Sequence, residues 1–238
     1  MNRIALMALR NFWKVPGLYG KLCYYAAHTD EYPEAEKWAH INKVMNAAIT
    51  TGNIDLKITG YEDLPEQDGF VIYANHQGLF DVVALAGTCK RPLSAVFKKE
   101  LINVPLLKQI NACCHCFAMD REDVRQSLTV IKNVTEEVLK GRNYLIFPEG
   151  TRSKNGNVMG EFHGGSFRAA QKAQCPIVPL CFIDSFKVLD QKGSKPVTVQ
   201  MHYLKPIPYE EYKDLKTVDI AALVKSRIQE CIDANVEQ

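Results

Sequence analysis

The chain has 238 residues, 47% hydrophobic and 24% charged, which suits one globular domain with a sizeable core and excludes a largely disordered protein. Its 29 Lys and Arg against 27 Asp and Glu leave a formal charge of +2, and no basic block interleaved with aromatics occurs, so no nucleic-acid partner is expected. No apolar run approaches the roughly 18 residues of a spanning helix, so no transmembrane span is expected either.

The first 27 residues contain no acid and four bases, Arg3, Arg10, Lys14 and Lys21. In one continuous helix these bases would fall within about 20° of a single stripe. Pro16-Gly17 interrupts, so two short amphipathic helices are expected, either packed on the core or lying on an anionic membrane surface with the bases toward the lipid. After the polar link HTDEYPEAE, a helix is expected from Glu34 to Thr51, stopping before Gly52. Residues 1–51 therefore form an N-terminal helical segment, and residues 52–238 an α/β domain.

From there the pattern alternates. DLKITG and FVIYA read as strands, LFDVVALAG as a helix, LSAVF as a strand, VPLLKQI as a short helix and CFAMD as a strand. A helix follows from Arg121 to Lys140, with Val124, Leu128, Ile131, Val134 or Thr135, and Val138 on its apolar face. NYLIF is a strand ending at Pro148, a helix begins near Gly165, PIVPLCFI and VTVQMHYL are strands, and VDIAALVKSRIQECI closes the chain as a helix. Strands alternating with helices imply a single α/β domain whose largely parallel central sheet is flanked by helices and preceded by the N-terminal amphipathic pair. Ligands in such sheets sit beyond the carboxyl ends of the strands.

The eight Cys include the run CCHC at Cys113 to Cys116. Neighbouring residues on a strand point to opposite faces, so this spacing does not suit a zinc site, and no metal is expected. With no secretory signal in view, the thiols are expected to be reduced and the protein to lie on the cytoplasmic side of any membrane.

Two segments carry the chemistry. NHQGLFD, residues 75–81, follows the strand FVIYA and enters a helix. His76 and Asp81 are five residues apart, about 140° around one regular helix, so they can meet only if His76 lies in the turn and Asp81 in the first helical turns, with Gly78 allowing a tight bend. The carboxylate would then fix the imidazole tautomer and leave the second ring nitrogen as a base, with the attacking hydroxyl coming from a substrate. FPEGTRS, residues 147–153, follows another strand end and offers Arg152, Ser153 and loop N–H groups to an anion. A Ser or Cys hydrolase is the competing class. It is disfavoured because no GxSxG elbow occurs, and Ser166, after a Gly pair, belongs to no such pattern.

HxxxxD at His76 to Asp81, KKEL at Lys98 to Leu101, DR at Asp120-Arg121, FPEGTRS, and VPL at Val178 to Leu180 together resemble the glycerophospholipid acyltransferase superfamily. Within it they are most similar to the 1-acyl-sn-glycerol-3-phosphate acyltransferases, over about residues 70–182. One departure is visible. The family's GxxFxxR element is here HCFAMDR, with His115 at the Gly position and Ala118 at the Phe position. The resemblance implies transfer of an acyl group from acyl coenzyme A or acyl carrier protein to lysophosphatidic acid; glycerol 3-phosphate or another lysolipid stays open as acceptor. It also implies His76, Asp81 and Glu149 as catalytic residues, and Asn75, Arg121, Gly150, Thr151 and Arg152 on the acceptor and phosphate side. Lys98 or Lys99 would lie near the thioester carbonyl. No bound cofactor is implied. The enzyme would sit on the cytoplasmic face of the cell membrane, peripheral or monotopic.

Overall fold

The computed structural model describes residues 2–120 and 122–236. The first helices are α1 (Arg3–Arg10) and α2 (Val15–Ala27). Pro16 sits in the opening turn of α2, where its missing N–H has no intrahelical partner to lose, so it starts this helix. α3 (Glu34–Thr51) has the expected bounds, with Glu34 and Glu36 at its positive end.

The seven strands are β1 (Ile54–Thr59), β2 (Val71–Ala74), β3 (Leu93–Lys98), β4 (Phe117–Met119), β5 (Asn143–Ile146), β6 (Ile177–Ile183) and β7 (Val197–Tyr203). They form one sheet in the order β1-β7-β6-β2-β5-β3-β4. The five strands from β6 to β4 run parallel; β7 is antiparallel to β6, and β1 parallel to β7. The expected α/β architecture is therefore the one observed.

Helices cover both faces. α3, α4 (Phe80–Thr88) and α5 (Leu107–Cys113) lie on one side. α6 (Val124–Leu139), α7 (Arg168–Ala173) and α10 (Thr217–Asn235) lie on the other, and the short α8 (Phe186–Leu189) and α9 (Tyr209–Tyr212) complete the chain. β2 is buried on both sides, and alternating residues from Phe70, just before it, to Ala74 divide between two cores: Phe70, Ile72 and Ala74 join Leu22, Tyr25, Trp38 and Ile41, whereas Val71 and Tyr73 join Val134, Ile220 and Val224. The N-terminal helices thus share a core with the sheet.

Two expectations are corrected, on α6 and at Arg3. On α6 the buried stripe is Val130, Ile131, Val134, Thr135 and Val138, while Val124 and Leu128 are exposed, because the first turns after the Asp123 cap face away from the sheet. Gly78 lies in the turn before α4, where its missing side chain admits the Asp190 carboxylate and Phe186 Cα, which a Cβ would crowd. Arg3 does not belong to an exposed basic stripe. It is buried, and its guanidinium donates to the carbonyls of Gly52 (2.6 Å), Lys195 (2.8 Å), Val188 (2.9 Å) and Asn53 (3.2 Å), an anchor of α1 on the core. No helix among the described residues is long and apolar enough to cross a membrane.

Candidate active site

Because β6, β2, β5, β3 and β4 are parallel, the segments after them leave the same edge of the sheet. That edge gathers residues 75–81, 147–153, 98–101 and the turn after β6, Asp184-Ser185.

His76 occupies the turn after β2 and Asp81 the first turn of α4. His76 Nδ1–H donates to Asp81 Oδ2 at 2.7 Å, and the ring stacks on Phe147 with centroids 3.9 Å apart. These contacts set both tautomer and plane. The side chain keeps 17% exposure, and Nε2 has no hydrogen-bond partner among the described residues. Asp81 is fully buried; its Oδ2 also accepts from the N–H groups of Gln77 (2.7 Å) and Gly78 (3.0 Å), and its Oδ1 accepts from the Ser185 hydroxyl.

Glu149 is buried, and both its oxygens face backbone: Oε1 accepts from His76 N–H and Oε2 from Gly160 N–H, each at 2.7 Å. Burial pushes its carboxyl above the usual carboxylate range, with the two N–H groups opposing. Its geometry is that of a strut holding the His76 turn against the loop after β5. Ser153 N–H adds a second tie, donating to His76 O at 2.8 Å.

The binding residues divide. Asn75 is buried; its side chain accepts from Phe182 N–H at 2.7 Å and donates to Phe182 O at 2.9 Å, continuing the β2–β6 ladder one residue past Ala74. Gly150, at φ 67°, donates to Phe147 O at 3.0 Å and turns the loop, leaving Thr151 and Arg152 exposed. The Arg152 guanidinium is ion-paired with Asp190, whose other oxygen accepts from Leu79 N–H at 3.1 Å. Lys98 and Lys99 are exposed at the end of β3, Lys98 paired with Glu100 at 2.9 Å and Lys99 with Asp120. The second pair holds Lys99 above and Asp120 below their ordinary values. Arg121 lies outside the described residues.

His115, at the family's Gly position, has φ 49°, the left-handed region that glycine enters without strain. Cys116 and Cys175 are pushed by burial up to about 12, out of reach as nucleophiles at neutral pH. Ser166 donates its hydroxyl to His163 O, not to the His76 ring.

Sequence reasoning did not find Phe147 as a stacking plate, Ser185 or Asp190. The available signal was position: polar side chains directly after β6 must emerge beside those after β2 once the two strands are neighbours.

The site is thus a histidine held by a carboxylate at the strand-end edge of an α/β sheet, beside a loop carrying an arginine. A family model described as acyltransferase matches residues 55–183, more than half of the chain, and the chain belongs to that family. Among relatives, the 1-acyl-sn-glycerol-3-phosphate acyltransferase of Saccharomyces cerevisiae is 27% identical over 205 residues, covering 84% of this chain and 65% of that protein. The protein of the same name from Helicobacter pylori is 32% identical over 122 residues, 51% of this chain and 52% of the relative. This chain thus spans less than two thirds of the length of either. The crystal structure of the 1-acyl-sn-glycerophosphate (LPA) acyltransferase PlsC from Thermotoga maritima shares the fold, with a TM-score of 0.78 at 19% identity over 99% of this chain and 98% of that one.

Proposed function

We propose that this protein transfers an acyl group from an acyl thioester to the free glycerol hydroxyl of 1-acylglycerol 3-phosphate, making phosphatidic acid in phospholipid biosynthesis. The observation that carries the reading is the His76 ring, fixed by Asp81 and Phe147, with Nε2 unpartnered and no nucleophile bonded to it among the described residues. The acceptor hydroxyl gives its proton to Nε2 as its oxygen attacks the thioester carbonyl. The tetrahedral intermediate then expels the thiolate, which takes the proton back from the imidazolium. A thioester is already activated, so the chain's own groups suffice for this sequence. Asp81 stabilises the imidazolium, Glu149 holds the His76 turn, and Arg152, together with Arg121, binds the acceptor phosphate. Lys98 or Lys99 lies near the thioester carbonyl, where its side chain or a backbone N–H favours the developing oxyanion.

Residues 1–51 form the membrane side of the molecule and residues 52–238 carry the chemistry. Ile4 and Leu9 on α1, Phe12 and Trp13 in the turn after it, and Tyr24 on α2 are exposed, and Trp13, Lys14, Lys21 and Lys43 line a groove of about 810 Å³ beside α3. Apolar and aromatic groups rimmed by lysines match an anionic lipid surface, here the cytoplasmic face of the cell membrane, on which the protein is peripheral or monotopic. Acyl transfer by purified protein to lysophosphatidate, with acyl coenzyme A and acyl carrier protein donors in parallel, tests the reading. Turnover with at least one donor is expected, with His76→Ala lower by about 10²- to 10⁴-fold and liposome binding retained. No turnover with either donor, or His76→Ala within a few-fold of wild type, overturns it.

A further inference from the structure

Asp81 carries more than the histidine contact. Three of its donors, His76 Nδ1, Gln77 N–H and Gly78 N–H, converge on Oδ2, and all belong to the turn after β2. Oδ1 has one, the hydroxyl of Ser185, which arrives from a different part of the chain, the turn after β6. Ser185 is fully buried, so no water can replace that hydroxyl without rearrangement. Its backbone is also held. Ser185 N–H donates to Gln77 Oε1 at 3.0 Å, and Gln77 Nε2 donates to Asn157 Oδ1 at 2.7 Å. Asn157 in turn brackets Asp184, accepting from its N–H at 2.9 Å and donating to its carboxylate at 3.0 Å. Asp184 sits at φ 64°, a conformation this bracket supports and which aims Ser185 at Asp81.

We propose that Ser185 is a positioning residue for the acyl-transfer step, acting on His76 through Asp81. The proposal rests on the assignment of His76 and Asp81 as base and orienting acid. A carboxylate with all its strong donors on one oxygen is free to turn about its Cβ–Cγ bond, and a buried Oδ1 without a donor drives that turn toward a shared arrangement. The Ser185 hydroxyl fixes the carboxylate plane, and with it the direction of the Nδ1–H bond and the aim of Nε2. Small errors of aim in a reacting base are expensive in rate.

Ser185→Ala should lower kcat by about 10- to 100-fold with KM for the acceptor within about two-fold, since the ring moves while the acceptor's binding groups do not. The direct readout is the Nδ1 proton of His76, seen by proton–nitrogen NMR in ring-labelled protein and identified by its loss in His76→Ala. In Ser185→Ala this resonance should shift or broaden into solvent exchange. Should the alanine variant fail to fold, Ser185→Cys, similar in size and a weaker donor, should give an intermediate loss of kcat and a smaller shift. An unmoved proton, an unchanged kcat, or a rise in KM with kcat intact overturns the proposal. His76→Ala and Asp81→Asn, assayed alongside, separate the two levels: if they retain near wild-type turnover, the dyad assignment has failed; if they collapse and Ser185→Ala does not, only the role of Ser185 has.

Discussion

Glu149→Gln distinguishes a strut from a group that touches substrate. In the wild type the carboxylate accepts two backbone N–H bonds, from His76 and Gly160, both at 2.7 Å. A glutamine can offer its single oxygen to one of them, while its NH2 meets the other donor head on. One charge-assisted bond is lost and one N–H left without a partner, a cost of about 1 to 3 kcal/mol. For a domain of this size that corresponds to a fall in melting temperature of about 2 to 12 °C. Activity should fall with it, by about 10-fold, as the His76 turn loosens. The pH dependence has a definite sign. Burial raises the folded-state pKa of Glu149 above its unfolded value, so the stability this group contributes is fully present below the unfolded pKa and declines as pH rises through the folded one. The melting-temperature deficit of Glu149→Gln against wild type should therefore shrink from pH 4.5 to pH 7, read by calorimetry alongside a lysophosphatidate acylation assay. A variant melting within a degree of wild type but more than about 100-fold slower would refute the strut and put Glu149 on the substrate.

Arg152→Ala should cost about 2 to 4 kcal/mol in kcat/KM with lysophosphatidate and little with a monoacylglycerol, which lacks the phosphate; equal loss with both acceptors would mean that the Arg152–Asp190 pair supports the loop alone. Arg3 and the lysines Lys14 and Lys21 should behave as opposites in paired melting and liposome-flotation assays. Arg3→Met, losing four bonds to carbonyls, should destabilise by about 3 to 5 kcal/mol, a fall of about 6 to 20 °C. Lys14→Glu with Lys21→Glu should leave melting unchanged and weaken binding to anionic liposomes by about 1 kcal/mol per charge removed, an effect that salt reproduces.

What could be read from the sequence follows the periodicities. Helix α3 has its expected bounds because Glu34 and Gly52 mark its ends, and the contact of His76 with Asp81 follows from a five-residue spacing that no single helix can close. Residues whose role depends on which strands are neighbours were not legible. Asn75 reads as a ligand-facing polar residue until β6 is placed beside β2, when its amide becomes an extension of the ladder to Phe182. Ser185 and Asp190 meet Asp81 and Arg152 through the same adjacency. Arg3 looks like one of four exposed bases because the carbonyls that claim it lie in distant turns. Hydrophobic pattern specifies which face is buried; it carries no record of which buried edge comes next to which.

The clasp of Arg3 also dictates an order of assembly. Two of its acceptors, the carbonyls of Val188 and Lys195, lie some 185 residues or more downstream, and β1 finds its sheet partner only in β7, at Val197–Tyr203. While the chain is being synthesised from its amino end, the β6–β2–β5–β3–β4 block can pair before either of these contacts has an acceptor to close on. Helix α1, with Ile4 and Leu9 uncovered, is therefore held by nearby acceptors, the carbonyls of Gly52 and Asn53, until residues 188–203 have emerged, and β7 then secures the first strand and the first helix together.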